Sequence, residues 1–206
     1  MTQKNEIMKF LDELHQKMQK EKEFAFWEYL KKAKGMLEGI SEENKGKIEK
    51  NVIVEGKVSL GKNSVIKSGT RIEGTVFIGE NCVVGPNAFL RGFVILEGKN
   101  TVANSELKNV ILMEGSNAPH YSYVGDSLIG KNCNLGAGTK IANLRFDNKN
   151  VRILIRGKEI DSGERKLGCL MHDEVKTGVN SGINGGVILY PDANVQPNSF
   201  VKGVVK

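Results

Sequence analysis

From Val54 onward an aliphatic side chain returns at every sixth position: Val54, Leu60, Ile66, Ile72, Ile78, Val84, Leu90, Leu96 and Val102. An α-helix repeats its faces every ~3.6 residues and a half-buried strand every ~2, so a period of six held from Val54 to Val102 matches neither element. A solenoid of short strands joined by tight corners does match it. Each set of six supplies one flat face with its aliphatic side chain turned inward, and three faces close a triangular coil. The position four after most of these residues is small or compact, as at Val58, Ser64, Thr70, Val76, Cys82, Ala88 and Val94, which lets the corner close. Stacked coils then pair as parallel strands, with hydrogen bonds running along the stack.

The order returns at Ile129, Leu135 and Ile141, and again at Ile183, Leu189, Val195 and Val201. Between Val102 and Ile129, the stretch APHYSYVGD, 118–126, reads as an interruption of the repeat. The charged segment 144–169 has no sixth-residue order, so it is expected to leave the prism as a loop or hairpin excursion, where solenoids often carry binding groups.

Residues 5 to about 37 follow the helical period, with Ile7, Phe10, Leu11, Leu14 and Met18 on one stripe and Phe24, Trp27, Leu30 and Leu37 on another. Two short helices are predicted. The polar stretch 39–51 reads as a linker or second turn region. The chain thus divides into a helical N-terminal segment, 1–45, and a mainly β solenoid, 51–206. Helical stripes bury against something, and a cap on the open end of the solenoid or a contact between subunits is expected here.

Composition narrows the function. The 206 residues carry a net charge of +6, spread as single lysines among turns rather than gathered into a basic arm, which argues against a nucleic-acid surface and suits an anionic small substrate. The polar N-terminus MTQKNEIMKF is no signal peptide, and no apolar run reaches the ~20 residues that cross a bilayer, so a cytoplasmic protein with no membrane partner is expected. Three cysteines make neither a disulfide framework nor a pair of metal knuckles. Cys82 and Cys133 occupy the small slot and read as buried thiols, whereas Cys169 lies outside the regular repeat.

The hexad pattern resembles that of the hexapeptide-repeat acyltransferases. The resemblance implies a left-handed parallel β-helix, a hand that the usual crossover rule would not favour, and a homotrimer with active sites between neighbouring prisms. Within it, LKNVILMEGSNAPHYSYVGDSLIGKNCNLGAGTKIANLR, 107–145, is similar to the acetyltransferase half of the bifunctional enzymes that make UDP-N-acetylglucosamine, and more so to their archaeal sugar-phosphate nucleotidylyltransferase cousins. His120, Tyr123, Gly125, Asp126 and NCNLGAGT fall in that family's order and spacing. The implied activity is acetyl-CoA-dependent N-acetylation of an amino-sugar 1-phosphate, glucosamine 1-phosphate or galactosamine 1-phosphate, in nucleotide-sugar biosynthesis, with no metal required.

A histidine beside a proline in a turn is, by itself, more often structural. The surrounding motif reverses that reading and makes His120 the general base, because an attacking amine must lose a proton near neutral pH. The resemblance gives Asn143 a catalytic and acetyl-CoA contact, and Ala137 a backbone approach to the thioester. It implies acceptor contacts for Arg91, Lys108, Tyr123, Asn134 and Lys149, with the cations answering the phosphate. Tyr121 is expected to pack. Leu144 and Arg145 follow Asn143 where the bacterial enzymes have Tyr-Asp, which leaves the choice of sugar open. The nucleotidylyltransferase domain that such enzymes carry ahead of the prism is expected to be absent, and SGTR, 68–71, is no substitute, because Thr70 fills a small slot and no strand-to-helix phosphate cradle surrounds it.

Two other readings compete. A trimeric carbonic anhydrase on the same prism needs three metal-binding histidines, yet of His15, His120 and His172 the first belongs to the helical segment. A non-catalytic trimeric scaffold, pairing with a separate nucleotidylyltransferase, has no use for His120, Tyr123 and Asn143 together.

Overall fold

The computed structural model describes residues 3–206. Helix α1, Gln3–Lys20, and helix α2, Phe26–Glu38, are followed by a left-handed parallel β-helix of about nine turns. Its interior is built from three aliphatic columns whose registers are direct Cα pairings. Val54, Ile72, Leu90, Leu107, Val124, Ile141, Ile183 and Val201 line the first face. Leu60, Ile78, Leu96, Leu112, Ile129, Met171, Leu189 and Val205 line the second. The third holds Ile48, Ile66, Val84, Val102, Ala118, Leu135, Thr177 and Val195. Most of these side chains are fully buried, and each buried Val, Leu, Ile or Met among them contributes on the order of 1.5–3 kcal/mol through removal of apolar surface from water. Thr177, the polar member, is satisfied by Thr139, with the two hydroxyl oxygens 2.7 Å apart.

The repeat does not lapse between Val102 and Ile129. Leu107, Leu112, Ala118 and Val124 are all buried in the columns, and only the spacing changes: the steps Val102 to Leu107, Leu107 to Leu112 and Val124 to Ile129 are each one residue short. Ala118 and Val124 stand six apart, so APHYSY is an ordinary hexad that earlier corner deletions have moved out of phase, and VGD opens the next, shortened one. Cys169 likewise joins Cys82 and Cys133 in the core. Burial pushes the thiols of Cys133 and Cys169 up to about 12, which leaves them inert.

The stretch that reads as a linker also differs, since Glu43–Asn44 and Lys47–Ile48 already pair with the next coil. The helices do not cap the prism. They lie along its second face, where α2 packs over strands Arg71–Glu80, Phe89–Gly98, Glu106–Leu112 and Tyr123–Ile129. Phe77, Ile95, Ile111, Leu128, Leu170 and Ile188 turn outward there and share one apolar cluster with Ile7, Phe10, Leu14, Trp27 and Leu30. At the N-terminal end of the prism Ile48 and Val54 are about 40% exposed among the described residues. Polar contacts fix the turn between the helices: the His172 ring donates to the Lys22 carbonyl at 2.8 Å, and Tyr190 and the Arg156 amide donate to Glu23. Among the described residues no helix is long and apolar enough to cross a membrane.

After Ile141 the chain leaves the coil. Arg152–Ile155 and Lys158–Asp161 form an antiparallel hairpin, turned by Arg156 and Gly157, both with positive φ. The chain rejoins at Leu170–Met171, whose ladder partners are Leu128 and Ile129.

Candidate active site

Strand alternation decides what the first face shows to the outside. With Leu90, Leu107 and Val124 turned inward, Arg91, Glu106, Lys108 and Tyr123 turn outward on three consecutive coils. Arg91 donates from Nε to Glu106 Oε1 at 2.6 Å. The Lys108 ammonium lies 3.2 Å from Asp126 Oδ2. Asn143 joins from the next coil, donating from Nδ2 to Asp126 Oδ2 at 2.5 Å and to the Tyr123 hydroxyl at 3.2 Å. Asn109 Nδ2 donates to the other Asp126 oxygen at 2.7 Å. Gly125 makes room for this: a Cβ there would stand 2.6 Å from Asn143 Nδ2 and 2.7 Å from the Tyr123 hydroxyl.

Four predicted residues, Arg91, Lys108, Tyr123 and Asn143, therefore meet in one polar cluster. Its charges are already balanced, Arg91 by Glu106 and Lys108 by Asp126. Burial, then the nearby carboxylates of Glu106 and Asp126, raise the Tyr123 phenol above its ordinary value. It stays protonated, and because it accepts from Asn143 its own proton is free for another acceptor.

His120 and Ala137 belong to a second set, one above the other on consecutive coils at the corner between the third and first faces. The Gly138 amide donates to the His120 carbonyl at 2.8 Å, while the exposed His120 ring makes no hydrogen bond among the described residues. Tyr121 is not packed as expected: it is 71% exposed, with a left-handed backbone at φ 52°. Asn134 lies exposed on the third face, paired in register with Asn117 and Lys176. Lys149 is exposed on the excursion, beside a polar cavity of about 400 Å³ lined by Arg145, Asp147, Arg152, Glu159 and Asp161. The Arg145 guanidinium holds the Asp147 carboxyl well below the usual carboxylate range. Among the described residues no side-chain hydrogen bond or ion pair joins these sets within one chain.

Sequence reasoning missed Glu106, Asn109 and Asp126 as members of the cluster. A signal for the last two exists. The corner between the first and second faces is filled by Gly56, Gly74 and Gly92 and then by Asn109 and Asp126, all with positive φ. Glycine suits that backbone best, and Asn and Asp tolerate it better than most side chains.

A family model described as the GMPPB C-terminal domain matches residues 54–205. The chain is 52% identical over 160 residues to a protein of Sulfurisphaera tokodaii named bifunctional sugar-1-phosphate nucleotidylyltransferase/acetyltransferase, an alignment covering 77% of this chain and 40% of that one. It is 44% identical over 186 residues to the bifunctional protein GlmU of Methanocaldococcus jannaschii, covering 85% and 45%. The chain thus spans less than half the length of these relatives.

Proposed function

Because the chain belongs to the GMPPB C-terminal domain family, and because its first face gathers a substrate-sized set of donors and acceptors, we propose that it transfers the acetyl group of acetyl-CoA to the amine of an amino-sugar 1-phosphate, glucosamine 1-phosphate or galactosamine 1-phosphate. The observation that carries this reading is the meeting of Arg91, Lys108, Tyr123 and Asn143 on one outer face. The acetyltransferase named in the Sulfurisphaera relative supports it.

In this reading the amine nitrogen attacks the thioester carbonyl carbon, forming the C–N bond as the carbonyl electron pair moves onto oxygen. His120, whose ring is exposed and unengaged, takes the amine proton. The Ala137 amide, at the neighbouring corner, donates to the oxyanion. Re-forming the carbonyl breaks the C–S bond, and the thiolate leaves with the proton from His120. Arg91 and Lys108 retain N–H donors beyond those spent on Glu106 and Asp126, and with Lys149 they hold the phosphate. Asn134 and Tyr123 contact the sugar. The sets of residues come from separate corners of one prism, and a neighbouring copy in a homotrimer closes the acceptor between them.

The test is release of free thiol from acetyl-CoA with each amino-sugar 1-phosphate. Transfer is expected, and His120→Ala should lower it by about 10²–10⁴-fold. Full activity in that variant removes His120 as the base. No thiol from either acceptor overturns the enzyme reading and favours a trimeric scaffold for a separate nucleotidylyltransferase.

A further inference from the structure

Asp126 is a buried carboxylate with more partners than a structural role at a corner requires. Its side chain is 11% exposed and receives Asn109 Nδ2 at 2.7 Å, Asn143 Nδ2 at 2.5 Å and Lys108 Nζ at 3.2 Å. The first partner belongs to the coil before and the second to the coil after, so the carboxylate ties three coils together across the outer face.

Its chemistry also sets a direction. A carboxylate only accepts hydrogen bonds, so the side-chain amide of Asn143 must turn its NH₂ toward Asp126. The Tyr123 hydroxyl receives the same NH₂ at 3.2 Å. The Asn143 Oδ1 is then the end left over, and it accepts from no group among the described residues. With a neutral amide at position 126 the Asn143 amide could sit either way round, because an amide offers both donors and an acceptor.

The cluster is closed from behind. Asp126 and Asn109 line a crevice of about 230 Å³ that apolar Trp27, Leu30, Phe93 and Leu167 share with charged Lys31, Lys34, Glu164 and Lys166. The four apolar side chains are all under 10% exposed, so the side away from the first face is backed partly by buried apolar surface and partly by charge.

We infer that Asp126 is a positioning residue: it fixes the Asn143 amide with its carbonyl oxygen presented to an N–H of the acceptor amine. This rests on the acetyl-transfer reading above. An acceptor oxygen aimed at the amine orients the nitrogen lone pair toward the thioester, and misplacement of a reacting group by about 1 Å costs about 10²-fold in rate.

The experiment combines kinetics with a measurement on the resting protein. Asp126→Asn is expected to lower kcat/KM for the amino-sugar 1-phosphate about 10²-fold while KM for acetyl-CoA stays within about twofold. The double variant Asp126→Asn/Asn143→Ala should be no slower than Asn143→Ala alone, because one residue acts through the other. Additive losses, or an Asp126→Asn variant with wild-type kinetics, overturn the inference. In wild-type protein labelled with ¹⁵N-asparagine, the Asn143 side-chain amide protons should exchange slowly with solvent; fast exchange overturns the inference even where Asp126→Asn fails to fold. Wild-type protein with slow exchange and no transfer to either sugar refutes the acetyltransferase reading, and with it the role toward the amine, while leaving the amide's orientation established.

Discussion

Tyr121 adopts a backbone that the other coils reserve for Asn or Gly. Asn51, Gly69, Asn87, Asn104, Gly138, Asn180 and Asn198 fill the equivalent corner, each with positive φ. A left-handed conformation costs an ordinary L-residue roughly 1–2 kcal/mol, and Asn less. With 71% of the side chain exposed there is little packing to lose, so Tyr121→Asn should stabilise the fold by about 1 kcal/mol, read as a rise in Tm. His172 supplies the opposite case, a buried group whose environment disfavours charge. Burial lowers its pKa below the ordinary 6.5, partly opposed by the hydrogen bond to the Lys22 carbonyl. The folded protein therefore keeps His172 neutral where the unfolded chain protonates it. Its contribution is fully present above the unfolded value and is lost as pH falls through that value toward the lowered folded one. Urea unfolding between pH 7 and 5 should show stability falling with acid, and His172→Gln should flatten that slope. Both residues look unremarkable in sequence. A lone histidine or tyrosine reveals neither burial nor backbone sign, whereas Lys108, Tyr123 and Asn143 stand inside the family motif and Arg91 matches a family position ahead of it, which is why their meeting could be expected.

At the scale of elements, the columns were legible because side-chain period in a strand is rigid, and they were lost where faces shorten by one residue. A search for sixes fails at Leu107 and Leu112, although the coil-to-coil pairing of Leu90 with Leu107 and of Leu107 with Val124 continues unbroken. The helices were legible from their stripes, but their resting place was not. The missed clue is the pair of adjacent apolar residues on every third face: Phe77-Ile78, Ile95-Leu96, Ile111-Leu112, Leu128-Ile129, Leu170-Met171 and Ile188-Leu189. A strand covered on both sides reads as a continuous apolar run rather than an alternation, and the second face does so on six consecutive coils. Two glycines give the check on these elements. Gly74 has φ 117°, and a Cβ there would fall 2.1 Å from the Gly92 carbonyl oxygen, so Gly74→Ala should cost about 2 kcal/mol or more. Gly35, inside α2, has nothing within 4 Å of its missing Cβ, so Gly35→Ala should stabilise by about 0.5–1 kcal/mol. Thermal melts of the two variants should move in opposite directions.

For the whole molecule, the three faces have unequal roles. The helices cover the second, the first carries the polar cluster, and the third is left with exposed Asn134, Lys176 and Asn194 along its C-terminal half. Exposed Tyr121, Val179 and Phe200 add apolar surface around the corner where the third and first faces meet. If copies assemble through these two faces, light scattering should give three times the mass of the chain; a monomer at assay concentration would contradict the proposed closure of the acceptor between prisms. Nothing in a single sequence states an assembly, because surface residues carry no period. The excursion after Ile141 has a further consequence. Since Met171 resumes the ladder beside Ile129, the departing segment adds contour length to the chain but no pitch to the coil. The hydrophobic spine beneath therefore keeps its count whatever the length of the excursion, while Val151, Ile153 and Leu167 sink into the helices' apolar cluster and moor the appendage there.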